Sequence, residues 1–183
     1  ELMVDYAIHW LKNNIDTKWF CDVGTGSGCI AISILNQIQE VKAIATDRYC
    51  RTLHVAQQNI SRFHLETRAY LVQADLIAGI TGQCSLFCAN LPYVPSSRLS
   101  QLPVAKYEPN YALDGGEHGL RYINNLLLLL ANWVRRGALI LLEIDPDQEA
   151  LVRRYACSLF NQPGIKTTRD LNGLQRLMAI SIN

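Results

Sequence analysis

Short apolar runs alternate with helix-patterned segments along the first half of this chain, and each run stops at a glycine, carboxylate or amide. Trp19–Val23 reads as a buried strand feeding Gly24. Val41–Thr46 stops at Asp47, Arg68–Gln73 at Ala74-Asp75, and Ser85–Ala89 at Asn90. Between them lie segments with helical character. Leu2, Met3, Tyr6, Ala7, Trp10 and Leu11 recur at helical spacing, Cys29–Ile38 is apolar almost throughout, and Tyr49–Phe63 turns Leu53, Ala56 and Ile60 to one side. Such alternation predicts an α/β fold, a parallel sheet with helices on both faces. Right-handed crossovers then align the strand ends along one edge, where ligands bind. That edge carries Asp22–Gly28, Asp47, Asp75 and Asn90–Tyr93.

Val94–His118 lacks periodicity and contains Pro95, Pro103, Pro109 and Gly115-Gly116. Its length and aromatic content predict a substrate-facing loop. Gly119–Val134 reads as a helix, Gly137–Ile144 as a strand, and Asp147–Phe160 as a last helix. Ile165–Arg169 and Leu174–Ile182, joined through Asp170–Gly173, predict an antiparallel hairpin at the sheet edge.

Composition excludes several classes. At 183 residues, 49% apolar and 18% charged, the chain corresponds to one compact domain rather than a disordered segment. A net charge of +1 supplies no strong field for nucleic acid or an anionic membrane. The longest apolar run, Leu126–Ala131, is too short for a membrane span, and Glu1–Leu11 does not resemble a secretory signal. The scattered cysteines (21, 29, 50, 84, 88 and 157) form neither Cys-x-x-Cys nor a zinc-ligand pattern. They read as small buried hydrophobes in a reducing cytoplasm, with no metal expected.

Asp22-Val23-Gly24-Thr25-Gly26-Ser27-Gly28 places glycine at alternate positions, allowing positive φ and close approach of a nucleoside. Cys29 stands where dinucleotide enzymes carry their third glycine. Asp22 suits an ammonium-bearing or cationic ligand better than a diphosphate, and S-adenosylmethionine meets that requirement. Asp47 could accept hydrogen bonds from both ribose hydroxyls or cap the helix that follows. Asp75 and Leu76 could bracket adenine, with a turn aspartate as the alternative.

In Asn90-Leu91-Pro92-Tyr93, the Asn90 carboxamide oxygen and the Leu91 carbonyl could accept both hydrogens of a target NH2 group, with Tyr93 stacked on the planar target. Pro92 restricts the backbone between them. A plain strand-ending turn is the simpler reading of these four residues alone. The glycine loop upstream favours methyl transfer to a planar nitrogen.

With these motifs the chain resembles the release-factor glutamine methyltransferases, the PrmC/HemK group. The resemblance rests on Asp22–Ala31, Ala74-Asp75-Leu76, Asn90–Pro95, Tyr107-Glu108-Pro109, Ala112–Leu120, Leu142-Glu143-Ile144 and Arg169-Asp170-Leu171. It implies a Rossmann-like class I methyltransferase fold: a mostly parallel seven-stranded sheet, helices on both faces and an antiparallel C-terminal hairpin. It also implies S-adenosylmethionine as donor and the glutamine amide of the release-factor Gly-Gly-Gln loop as acceptor. Carried over, the cofactor residues are Asp22, Gly24, Thr25, Gly26, Ser27, Gly28, Asp47, Asp75, Leu76 and Asn90. The acceptor residues are Asn90, Leu91, Pro92 and Tyr93.

The family usually has proline where this chain has Leu91. Its members usually carry a helical N-terminal domain, which this sequence would lack, so residues 1–183 would form the catalytic domain alone. Asn-Leu-Pro-Tyr also resembles the motif of enzymes that dimethylate adenine in ribosomal RNA. An adenine amino-group methyltransferase acting on RNA or DNA is therefore the alternative reading, followed by a nucleoside-binding interaction module and a nicotinamide dehydrogenase. His54, His64 and His118 receive no role, Glu143 could orient the loop or be structural, and Arg153-Arg154 reads as a solvated helix face.

Overall fold

The computed structural model describes residues 1–80, 84–102 and 109–183. Seven strands form one sheet: β1 (Trp19–Val23), β2 (Lys42–Asp47), β3 (Ala69–Gln73), β4 (Leu86–Ala89), β5 (Leu139–Glu143), β6 (Gly164–Arg169) and β7 (Gln175–Ser181). Their order is β3-β2-β1-β4-β5-β7-β6. β1 pairs in parallel with β2 and β4, as does β4 with β5, whereas β7 runs antiparallel to β5 and β6. The expected C-terminal hairpin is thus present.

Alternate residues of the central strands face opposite cores. Phe20, Leu86, Cys88, Leu139 and Leu141 pack with Met3, Ala7 and Leu11 of α1 (Leu2–Asn13), Ile34 and Leu35 of α2 (Cys29–Gln37), and Ile60 of α3 (Cys50–Arg62). Cys21, Val23, Phe87, Ile140 and Leu142 pack on the other side. They meet Ile123, Leu126 and Leu130 of the helix Arg121–Ala131, and Val152 and Ala156 of the helix Glu149–Leu159. Burial on both faces explains why these strands read as apolar runs rather than alternating patterns. No helix among the described residues is long and apolar enough to cross a membrane.

Two readings need correction. Cys21, Cys84 and Cys88 are buried, but Cys29, Cys50 and Cys157 are exposed; the first two open α2 and α3, where the chain leaves the sheet. Arg154 is exposed, but Arg153 is only partly so. Its guanidinium donates to Glu149 Oε1 (2.6 and 2.8 Å), Thr167 Oγ1 and the Ile165 carbonyl, tying its helix to β6.

The aperiodic segment after β4 contains a 3-10 stretch, Ser96–Gln101, and one helical turn, α4 (Asn110–Leu113). Both are too short to produce a hydrophobic period. The segment returns beside its own start: Val94 N–H donates to the Leu113 carbonyl, Gly115 N–H to the Val94 carbonyl, and Ser96 N–H to the Gly116 carbonyl. Behind it lies Gln148, only 3% exposed. Its amide nitrogen donates to the Tyr93 carbonyl at 2.8 Å and to the carbonyls of His118 and Gly119 at 3.2 Å. Its oxygen accepts from Asp145 N–H. One buried amide therefore ties together Asn90–Tyr93, the Gly-Gly loop and the end of β5.

Gly119 has φ +70°, and a Cβ there would run into the Tyr93 carbonyl and the Gln148 amide. Gly137 has φ +84° but open space around it. Gly119→Ala should lower the unfolding free energy by about 2 to 4 kcal/mol, against about 1 to 2 kcal/mol for Gly137→Ala. Urea denaturation of the two variants measures the difference; equal losses would contradict the packing role of Gly119.

Candidate active site

A cavity of about 770 Å3 opens along the carboxyl edge of the sheet. Its wall includes Gly24, Thr25, Gly26 and Ser27 from the turn after β1, Asp47 from β2, Asp75 and Leu76 after β3, and Asn90, Leu91, Pro92 and Tyr93 after β4. The edge predicted from the alternation of strands and helices does gather these groups. Asp22 and Gly28 do not reach the wall.

Asp22 corrects a direct expectation. It points toward the α1–α2 side of the sheet and is fully buried. Its Oδ2 accepts from Thr25 Oγ1 at 2.6 Å and from Ala31 N–H at 3.1 Å. The carboxylate thus holds the glycine turn and the start of α2 from behind. The period-two alternation of a buried strand places residue 22 on that face, which motif spacing alone does not reveal. Gly28 similarly packs backward, its φ of +86° bringing it close to Ile32 and Ala56.

The front of the turn is shaped differently. Gly26 has φ +58° and nothing near its missing Cβ, leaving space for a ligand. Gly24 has φ +70°, and its bare face is covered by Leu91, whose Cδ2 would lie 2.8 Å from an added Cβ. Leu91 is buried, so its side chain belongs to the contact between the two motifs.

Asp47 bridges the glycine turn and the residues ahead of α3. Oδ1 accepts from Tyr49 N–H at the start of α3 (2.9 Å), Oδ2 accepts from Gly26 N–H (3.1 Å), and the residue lines the cavity. Leu76 is buried with φ +56°, a left-handed conformation that costs a non-glycine residue about 1 to 2 kcal/mol. Packing against Ile77 and its neighbours holds that backbone in place while the side chain meets the cavity.

Asn90 is exposed in the cavity. Tyr93 is half-buried, and its hydroxyl donates to Glu143 Oε1 at 3.1 Å. Burial and the Glu143 carboxylate push its pKa up to about 12, so the hydroxyl keeps its proton and the ring keeps its anchor. Glu143 therefore orients Tyr93. His54, His64 and His118 are exposed and do not line the cavity. Tyr107 and Glu108 of the family-specific block, and Pro103 before it, lie outside the described residues.

Sequence reasoning missed several wall residues: Tyr49, Tyr111, Asp145 and Arg176. Their only signal was position next to a strand end or within the aromatic loop. Among the described residues, the wall carries the carboxylates Asp47, Asp75, Glu143 and Asp145 against the guanidiniums Arg48 and Arg176. That balance favours a ligand bearing positive charge over a diphosphate. Together with the open face of Gly26, it fits S-adenosylmethionine. Among the described residues, no group of three or more His, Cys, Asp or Glu could hold a metal ion.

Burial pushes the Asp22 pKa up from 3.8 to about 6, against the opposing pull of the Thr25 and Ala31 hydrogen bonds. The folded chain therefore binds this proton more tightly than the unfolded chain. Its stabilising contribution is complete below about pH 4 and is lost as pH rises through about 6. The unfolding free energy of the unsubstituted chain, minus that of Asp22→Asn, should fall by about 2 to 3 kcal/mol between pH 4 and 8. Denaturation across that range tests this, and a flat difference would contradict it.

Comparison with known proteins adds an independent line. A "Release factor glutamine methyltransferase" from Moorella thermoacetica is 39% identical over 158 residues, covering 85% of this chain and 56% of the relative. A "Ribosomal protein uL3 glutamine methyltransferase" from Neisseria gonorrhoeae is 31% identical over 156 residues, covering 85% of this chain and 52% of the relative. The chain thus spans about half the length of these curated relatives. Among solved structures, the hMettl16 catalytic domain in complex with the MAT2A 3'UTR hairpin 6 superposes with a TM-score of 0.74 at 13% identity, covering 99% of this chain and 70% of the other. That likeness is one of fold, the class I methyltransferase fold. The family description "Methyltransferase small domain" matches residues 3–102, and the chain belongs to that family.

Proposed function

We propose that this chain methylates the side-chain amide nitrogen of glutamine, using S-adenosylmethionine, and that its substrate is the Gly-Gly-Gln loop of peptide chain release factors. The observation that carries the reading is the contact of Leu91 with Gly24, which sets the planar-amide motif beside the glycine turn. The names of relatives such as the one from Moorella thermoacetica support the substrate.

Gly24, Thr25, Gly26, Ser27, Asp47, Asp75 and Leu76 line the donor end, with Asp47 facing the ribose hydroxyls and Leu76 the adenine. Asp22 acts indirectly, by holding Thr25 and α2. When bound, S-adenosylmethionine would supply a methyl carbon made electrophilic by its sulfonium: sulfur would keep the pair of the broken C–S bond as a neutral thioether while the N–C bond forms, and the amide nitrogen would give up one proton to solvent water. The Asn90 carboxamide oxygen and the Leu91 carbonyl accept the two hydrogens of the target NH2 group. An amide nitrogen is a weak nucleophile because its lone pair is delocalised. Two acceptors on its hydrogens stabilise the positive charge that develops there and fix its approach. Pro92 restricts the backbone between them, and Tyr93, held by Glu143, offers its ring to the planar group. The reaction belongs in the cytoplasm, where release factors meet the ribosome.

A second protein substrate is supported by the Neisseria gonorrhoeae relative's name: a glutamine of ribosomal protein uL3. The chemistry would be unchanged. Methylation of an adenine amino group fits less well, because the carboxylate-rich wall repels a polyanion.

Incubation with methyl-labelled donor and three acceptors (a release factor, uL3 and ribosomal RNA) should label the release-factor glutamine. Label on RNA alone would contradict the reading. Asn90→Ala should reduce kcat by about 100- to 1,000-fold, while donor affinity stays within about threefold. Equal losses of turnover and donor binding would remove Asn90 from the acceptor site.

A further inference from the structure

Tyr49 and Tyr111 are 38% and 46% exposed, yet their rings meet at a centroid distance of 4.3 Å with a 43° tilt. They come from two separate segments that both line the cavity. Tyr49 directly precedes α3, and its N–H is bonded to Asp47, the carboxylate that also takes Gly26 N–H. Tyr111 lies in α4, which is secured to the acceptor segment by the Val94–Leu113 hydrogen bond. Both rings line the cavity. Their contact therefore joins the glycine-turn wall to the wall that follows Asn90–Tyr93, on the Asp47 side of the space.

We infer that Tyr49 and Tyr111 are binding residues for the nucleoside donor, a ring pair that closes over the Asp47 end of the cavity and must part for the donor product to leave. The inference rests on the donor reading given above. The pair contributes through ring contact rather than through its hydroxyl groups, because stacked or tilted aromatic rings attract by dispersion and quadrupole terms. Because the closed clasp needs both rings, removing either should release it as fully as removing both.

Surface plasmon resonance with S-adenosylhomocysteine on the immobilised chain tests this. Tyr49→Ala and Tyr111→Ala should each speed dissociation by about 2- to 10-fold, the range that matches one aromatic contact. The double variant should be no faster than the faster single variant. Tyr111→Phe should dissociate at the unsubstituted rate, because it keeps the ring. Unchanged dissociation in the alanine variants, or multiplying effects in the double variant, would overturn the clasp while leaving the donor reading intact. Failure of the unsubstituted chain to bind S-adenosylhomocysteine would overturn the donor reading, and the clasp with it.

Discussion

The parallel pairing of β1 with β4, in the register Val23 opposite Ala89, is the constraint on which the site depends. Two neighbouring parallel strands end side by side, so the glycine turn and Asn90 emerge next to each other. The missing side chain of Gly24 then lets Leu91 lie against the turn. A larger residue at position 24 would push the two motifs apart, and an acceptor group held even an ångström too far from its donor loses much of its rate. The strand register sets the separation, and the Leu91 contact makes it stiff.

Support for the two motifs comes from behind. Asp22 braces the glycine turn through Thr25 and α2, at the expense of burying a carboxylate. Gln148 braces Tyr93 and the Gly-Gly loop. Each is a buried polar side chain whose hydrogen bonds run to backbone or hydroxyl groups of a loop, so loops otherwise free to move acquire fixed geometry. Leu76 carries the complementary device, a strained backbone at a buried apolar residue on the cavity wall.

Much of this was legible in the sequence because it depends on local pattern. Short apolar runs separated by helical segments gave the sheet and its edge, and the residues after each run gave part of the wall. Asp22 and Gly28 lie behind the wall rather than on it. Motif spacing shows that a residue sits near a strand end, but the facing of one residue relative to the next depends on pleat and packing. Contacts between distant segments left little trace. Gln148 reaches Tyr93 across 55 positions, and Tyr49 meets Tyr111 from an unrelated turn. The departure at Leu91 was visible as a substitution, yet its packing on Gly24 required the β1–β4 register. Arg153 was misjudged because its partners lie partly on β6.

A crystal structure of the chain with S-adenosylhomocysteine and a Gly-Gly-Gln peptide would test the central claim most directly. The account predicts a single glutamine NH2 group within hydrogen-bonding distance of both the Asn90 side-chain oxygen and the Leu91 carbonyl, with the donor product against the Gly24–Gly26 turn. A glutamine bound outside this cavity, or an NH2 group held by other residues while Asn90 stays idle, would contradict it.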